Sequence, residues 1–110
     1  MIEDTIAKIE ARLQNADAIS DDKRQELQQL LAELKSEVAR LSRTHADEAT
    51  SIAGFTDVSA HEATRETQNP ALLKLSLDGL KSSVQEFEDS HPRLVQVVNS
   101  ISNVLSNLGI

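Results

Sequence analysis

The residues of this 110-residue sequence that could do chemistry are few and scattered: three histidines, His45, His61 and His91, the acid pairs Asp21-Asp22 and Glu88-Asp89, and the adjacent Ser90-His91. His45 and Glu48 stand at i, i+3, the spacing by which a helix offers two ligands to a di-metal carboxylate bundle. Such a site takes matched donors from several helices, which this pair alone does not supply. No two histidines fall at i, i+4, the spacing that makes a zinc-binding helix face. Ser90 and His91 are not expected to act as nucleophile and base, because neighbouring side chains diverge and no glycine-rich oxyanion loop accompanies them. The acid pairs fall where helices end, so the helix dipole and solvation account for them without general acid or base work. No catalytic, cofactor-binding or metal-ligating residue is therefore expected, no cofactor is implied, and the chain reads as a non-enzyme.

Composition narrows the partners. The net charge is −7, and acid outnumbers base throughout: 11 against 7 in residues 1–53 and 7 against 4 in residues 54–110. Without a basic face to grip phosphates, nucleic-acid binding is not expected. Phe55 and Phe87 are the only aromatic residues, which removes the stacking platforms of single-strand binders and leaves the core to aliphatic side chains. Cysteine is absent, so disulfides and thiolate chemistry are excluded. Charges at Glu3, Asp4, Lys8, Glu10 and Arg12 interrupt any signal-like apolar run, so a cytoplasmic location is expected. No apolar run approaches the ~20 residues of a membrane span.

The elements that would position these residues are written in four apolar seams with alternating three- and four-residue steps. They are Ile2, Ile6, Ile9, Leu13; Leu27, Leu31, Leu34, Val38, Leu41; Leu73, Leu77, Leu80, Val84, Phe87; and Leu94, Val97, Ile101, Val104, Leu108. The first predicts a helix over about 2–16, followed by a turn at 17–20. Ser20 is a natural N-cap for a second helix with Asp21 and Asp22 in its first turn. No glycine or proline interrupts this helix, and it is expected to reach about residue 52 even though His45 and Glu48 occupy seam positions. Residues 54–69 are polar and threonine-rich, with Phe55 and Val58 their only sizeable apolar residues, and read as a mobile linker with at most a helical turn near 59–66. Asn69-Pro70 caps and opens a third helix over about 70–89. Gly79 lies beside its seam, where a smooth surface would let another helix come close. Ser90-His91-Pro92 then breaks the chain. A fourth helix over about 92–108 adds Val98 and Leu105 to its seam, with Gly109 as a C-terminal cap. The fold expected is all-α: a single helical domain over 1–110, built from an N-terminal hairpin (1–53), the linker and a C-terminal hairpin (70–110). Together these make a four-helix bundle within one chain or across a homodimer.

Two C-terminal stretches carry a resemblance. Phe87-Glu88-Asp89-Ser90-His91-Pro92-Arg93-Leu94, with the closing Val104-Leu105-Ser106-Asn107-Leu108-Gly109-Ile110, is similar to a family of short bacterial helical proteins known only as a domain of unknown function. The match is strongest over about the last 25 residues and rests on leucine spacing in the first hairpin; the 54–69 segment is longer than the family leads one to expect. The resemblance implies a bacterial cytoplasmic helical protein and brings no activity or ligand with it.

The last helix carries the functional expectation, because no charged side chain occurs between Leu94 and Leu108. A helix exposed on its polar side usually carries lysine and glutamate, whereas interface cores are depleted of charge. Val98, Asn99, Ser102, Asn103, Leu105 and Ser106 are therefore expected to form an interface, most simply that of a homodimer, with another protein as a further possible partner. The function expected is that of an interaction or assembly protein. The alternatives are a helical groove for a partner peptide or ligand, or a peripheral membrane helix, the latter disfavoured by the missing basic residues and tryptophan.

Overall fold

The computed structural model describes residues 2–16 and 19–108. Five α-helices and one 3-10 turn occur among the described residues, and no strand: α1 Ile2–Gln14, α2 Asp21–Leu41, α3 Ala46–Thr64, α4 Pro70–Val84, the turn Gln85–Phe87, and α5 Pro92–Leu108. The helices close a ring in which α1 lies beside α2, α2 beside α5, α5 beside α4, α4 beside α3 and α3 beside α1. α3 also reaches α2 and α5, so it touches every other helix.

The seams point inward as their spacing requires. Ile6, Ile9 and Leu13 of α1, the five seam residues of α2, Leu73 to Phe87 of the third seam and Leu94, Val97, Ile101 and Val104 of α5 are all buried in one aliphatic core; Ile2 and Leu108 close its ends, partly buried. The expected caps form. Ser20 Oγ accepts from the amide of Lys23 at 3.3 Å and Asn69 Oδ1 from that of Leu72 at 3.2 Å, each cap contributing about 1 kcal/mol. The expected cap at Gly109 lies outside the described residues, as do Asp17 and Ala18 of the first turn.

The structure departs from the sequence reading in its middle third. The second helix does not run to residue 52; it stops at Leu41, and the chain turns through residues 42–45. Local hydroxyls make that turn possible without glycine or proline: Ser42 Oγ donates to the carbonyl of Ala39 at 2.7 Å and Thr44 Oγ1 to that of Leu41 at 3.4 Å. The backbone ladder tightens there to three-residue steps, Arg43 donating to the carbonyl of Arg40 at 3.3 Å and Thr44 to that of Leu41 at 3.1 Å. The expected linker is a second correction. Residues 54–64 are the C-terminal half of α3, and only residues 65–69 connect it to α4. The core face of α3 is Ile52 with Ala49, Ala53, Thr56, Ser59, Ala60 and Ala63, mostly small side chains that let four neighbours approach it closely. Its burial comes from contact with every other helix more than from large apolar residues. The bundle accordingly has five helices instead of four. The third predicted helix is also shorter than 70–89, tightening into the 3-10 turn after Val84.

Polar side chains fasten the ring. Arg24 of α2 donates through Nε to the carbonyl of Leu13 at 3.2 Å and through Nη2 to those of Ala16 and Ile19, closing the exposed end of α1 with a charge that also suits the helix dipole. Arg12 pairs with Asp57 at 3.1 Å to join α1 to α3, and Arg93 with Glu33 at 3.0 Å to join α5 to α2. Gln68 Nε2 donates to the last carbonyls of two helices, Ala63 at 2.9 Å and Leu108 at 3.3 Å.

Candidate interaction surface

The corners of the fold bring two of the three histidines together. The α2–α3 turn places His45, and the turn before α5 places His91, against Phe87, whose ring meets both edge-on at centroid distances of 5.3 and 5.5 Å, so the three rings form a triangle. The two imidazoles are 6.4 Å apart. Ser90 and His91 do not diverge as expected. Ser90 Oγ and His91 Nδ1 lie 2.9 Å apart, and the same arrangement recurs at Thr44 and His45 at 2.8 Å. Both residue pairs sit in turns just before a helix, where the chain is bent enough for neighbouring side chains to meet. The hydroxyls fix the rings against Phe87, so the cluster ties two corners of the bundle together. His61 stands apart, exposed on α3 and 3.9 Å from Glu62. Glu62 is buried and takes its main partner from Arg65 at 2.9 Å. His45 and Glu48 find no further donors, and among the described residues no group of three or more histidines and carboxylates could hold a metal ion.

α5 divides the residues expected at an interface. Val98, Ser102 and Leu105 are buried in the core of their own chain, while Asn99, Asn103 and Ser106 are exposed. Half of the expected set is thus not on the surface. On its covered sides the lack of charge between Leu94 and Leu108 has an intramolecular cause, since α2 and α4 flank the helix and charge there would be desolvated, whereas Gln96, Asn99, Asn103, Ser106 and Asn107 are exposed and still neutral. Ser102, Asn103 and Ser106 form one wall of an open groove of about 490 Å³, facing Leu73, Lys74, Leu77 and Lys81 of α4.

The apolar surface that remains uncovered is elsewhere. Large hydrophobic side chains left exposed among the described residues are Phe55 and Val58 on α3 and Leu72 and Leu75 on α4, with Leu75 68% and Val58 48% accessible. Their placement makes them one stripe. The short connection at 65–69 makes α3 and α4 an antiparallel pair, and the Phe55 ring lies over Gly79, where a Cβ would overlap it. The close approach expected at Gly79 is therefore real, and a phenylalanine from the supposed linker makes it. From that fixed point Val58 lies about 4.5 Å and Leu75 about 6 Å further in the same direction at 1.5 Å per residue, with Leu72 one turn beyond. The signal for α4 was in the sequence: Leu72 and Leu75 fall off the Leu73, Leu77, Leu80 seam and so cannot enter the same core. For α3 there was little signal, because a helix whose buried face is alanine, serine and threonine hides which side its two large residues occupy.

No helix among the described residues is long and apolar enough to cross a membrane. No curated protein matches the chain. No solved structure matches it either. The sequence profile of the family described as Domain of unknown function (DUF4404) matches residues 2–110, which extends the C-terminal resemblance through both hairpins and α3. With that match spanning nearly every residue, the chain belongs to the DUF4404 family.

Proposed function

We propose that this protein is a non-enzymatic helical interaction protein whose working surface is the outer face of the α3–α4 hairpin. One observation carries the reading: Phe55, Val58, Leu72 and Leu75 are exposed together, while the other large apolar side chains among the described residues are buried or partly buried. Contiguous apolar surface of this kind is costly in water and marks association sites on small soluble domains. The finer expectations of the sequence, a bacterial cytoplasmic protein that associates with itself, belong to the same proposal.

The groove between α4 and α5 supports a second reading, a seat for a partner peptide. Leu73 and Leu77 line it with Lys74 and Lys81, and the Ser102 hydroxyl beside it is buried without a protein partner. Site-directed photo-crosslinking in the cells that make the protein separates the two. A probe replacing Leu75 is expected to trap discrete protein adducts that a probe replacing Gln25 on α2 does not give. Adducts at Asn103 but none at Leu75 would move the working surface to the groove, and no specific adduct at either position would overturn the interaction reading.

A further inference from the structure

We infer that the α4–α5 groove seats an extended acidic peptide, a short stretch of a partner protein that rests an apolar side chain on Leu73 and Leu77 and brings a carboxylate to Lys81. The inference rests on the groove reading above and adds the chemistry of the occupant. It does not depend on what engages the α3–α4 face.

Three independent features of the groove point to a ligand of this kind. The first is a hydroxyl without a partner. Ser102 lines the groove and is 1% exposed, and its Oγ makes no hydrogen bond in the chain, a desolvation cost that a carbonyl lodged beside it removes. The second is the wall formed by Asn103 and Ser106, which are exposed yet uncharged in a chain of which 26% is charged. Their amide and hydroxyl groups both donate and accept, as a peptide backbone requires, and covering them desolvates no charge. The third is the charge on the other wall. Acidic residues outnumber basic ones by 18 to 11, yet Lys81 forms no ion pair among the described residues, whereas Lys74 is held by Asp78 at 3.0 Å. The uncommitted charge in the groove is therefore positive, and it selects an acidic ligand.

Shape favours an extended segment over a helix. The apolar floor is Leu73 and Leu77, one turn apart and each only 7% exposed, a strip too narrow for the anchors that a bound helix lays down over two turns. Along α4 the groove runs from Pro70 to Lys81, about 16 Å at 1.5 Å per residue, which matches about five residues of extended chain. Successive side chains of such a segment point to opposite sides, so one enters the floor while the backbone between them faces Asn103 and Ser106. Gln68 bonds the last carbonyl of α5 beside the start of α4, so Ser106 lies toward the Pro70 end and Lys81 at the other. The carboxylate of the peptide belongs at the Lys81 end.

A random-peptide phage library panned on the wild-type protein tests this, with the selected peptide then titrated by amide-resolved NMR. Selected sequences are expected to share an apolar residue close to an aspartate or glutamate, and to move the signals of Leu77, Ser102, Asn103 and Ser106. Lys81→Glu should weaken binding about tenfold, while the same reversal at Lys8, exposed on α1, should change it less than about twofold. Ser106→Trp, also at an exposed position, should block the groove with an unchanged circular-dichroism spectrum. Selected peptides without an acidic residue, or bound equally well by Lys81→Glu, would overturn the acidic ligand. Signals that move around Phe55 instead would overturn the site. Failure to select any peptide, with crosslinked adducts still formed at position 103, would overturn the extended peptide and leave the groove reading standing; absence of both would end the groove reading as well. Groove signals moved by sodium decanoate but by no peptide would assign the groove to a free carboxylate amphiphile, and signals that move with protein concentration alone would assign it to a second copy; either result overturns the peptide.

Discussion

Phe55 and Gly79 form the residue pair on which the geometry of the exposed face depends, and their coupling can be measured. A glycine inside a helix costs about 1 kcal/mol relative to alanine, so at an open position Gly79→Ala would stabilise α4. Here the added methyl overlaps the Phe55 ring, which is 40% exposed and has room to swing outward. The ring then loses its seat on α4, and forced overlaps of this kind cost about 1–3 kcal/mol, enough to outweigh the propensity gain. Gly79→Ala should therefore destabilise the wild type by about 1 kcal/mol and stabilise the Phe55→Ala protein by about the same amount. Urea unfolding of the four proteins in the cycle reads the coupling. Additive effects would show that the ring does not rest on Gly79. The histidines teach a related lesson. Their isolation in the sequence could not show that two corners distant in sequence would bring His45 and His91 into one triangle of rings with Phe87.

At the scale of elements, the difference between what the sequence revealed and what it hid has a simple physical basis. Helices α1, α2, α4 and α5 bury leucine, isoleucine and valine at regular spacing, and Ser20 and Asn69 announce two of their starts. α3 buries Ala53, Thr56, Ser59, Ala60 and Ala63, which carry almost no hydrophobic periodicity. What such residues provide is a thin helix, able to sit between neighbours where larger side chains would not fit. The boundary between α2 and α3 was hidden for a different reason: Ser42 and Thr44 end the helix through hydroxyl contacts that leave little trace in propensity. The central position of α3 makes a clear prediction. Ala60 is 1% exposed, so Ala60→Leu should overpack the ring and cost about 1–3 kcal/mol, whereas the same change in a polar linker would be nearly neutral. Hydrogen exchange gives an independent reading. Amides from Ala53 to Ala60 should be protected as strongly as those of α5, and fast exchange across α3 would restore the linker reading.

The whole molecule accounts for part of the pattern that pointed to α5 as an interface. An uncharged amphipathic helix reads the same whether its sides are covered by a second chain or by neighbours in its own, and sequence alone does not distinguish them. The ring supplies the covering: α2 and α4 flank α5, and Val98, Ser102 and Leu105 disappear into the core, while the bundle leaves its uncovered apolar stripe on the α3–α4 side. The two surfaces can be separated with one variant. Asn99 and Asn103 are both exposed, so Asn99→Lys with Asn103→Lys adds charge in contact with water and should change stability by no more than about 0.5 kcal/mol. Asn103 lines the groove that Lys74 and Lys81 also line, but repulsion between solvated lysines is weak and screened by salt. Were α5 the contact, a two-fold arrangement would present each new lysine twice across the interface, and the dimer should dissociate. With the working surface on α3 and α4, the double lysine protein should keep the light-scattering mass of the wild type, and a photo-crosslinking probe at position 75 should still give its adducts in the lysine background. Dissociation of the lysine variant from a dimeric wild type, with no adduct at position 75, would return the interface to α5 and leave the exposed stripe to some other purpose.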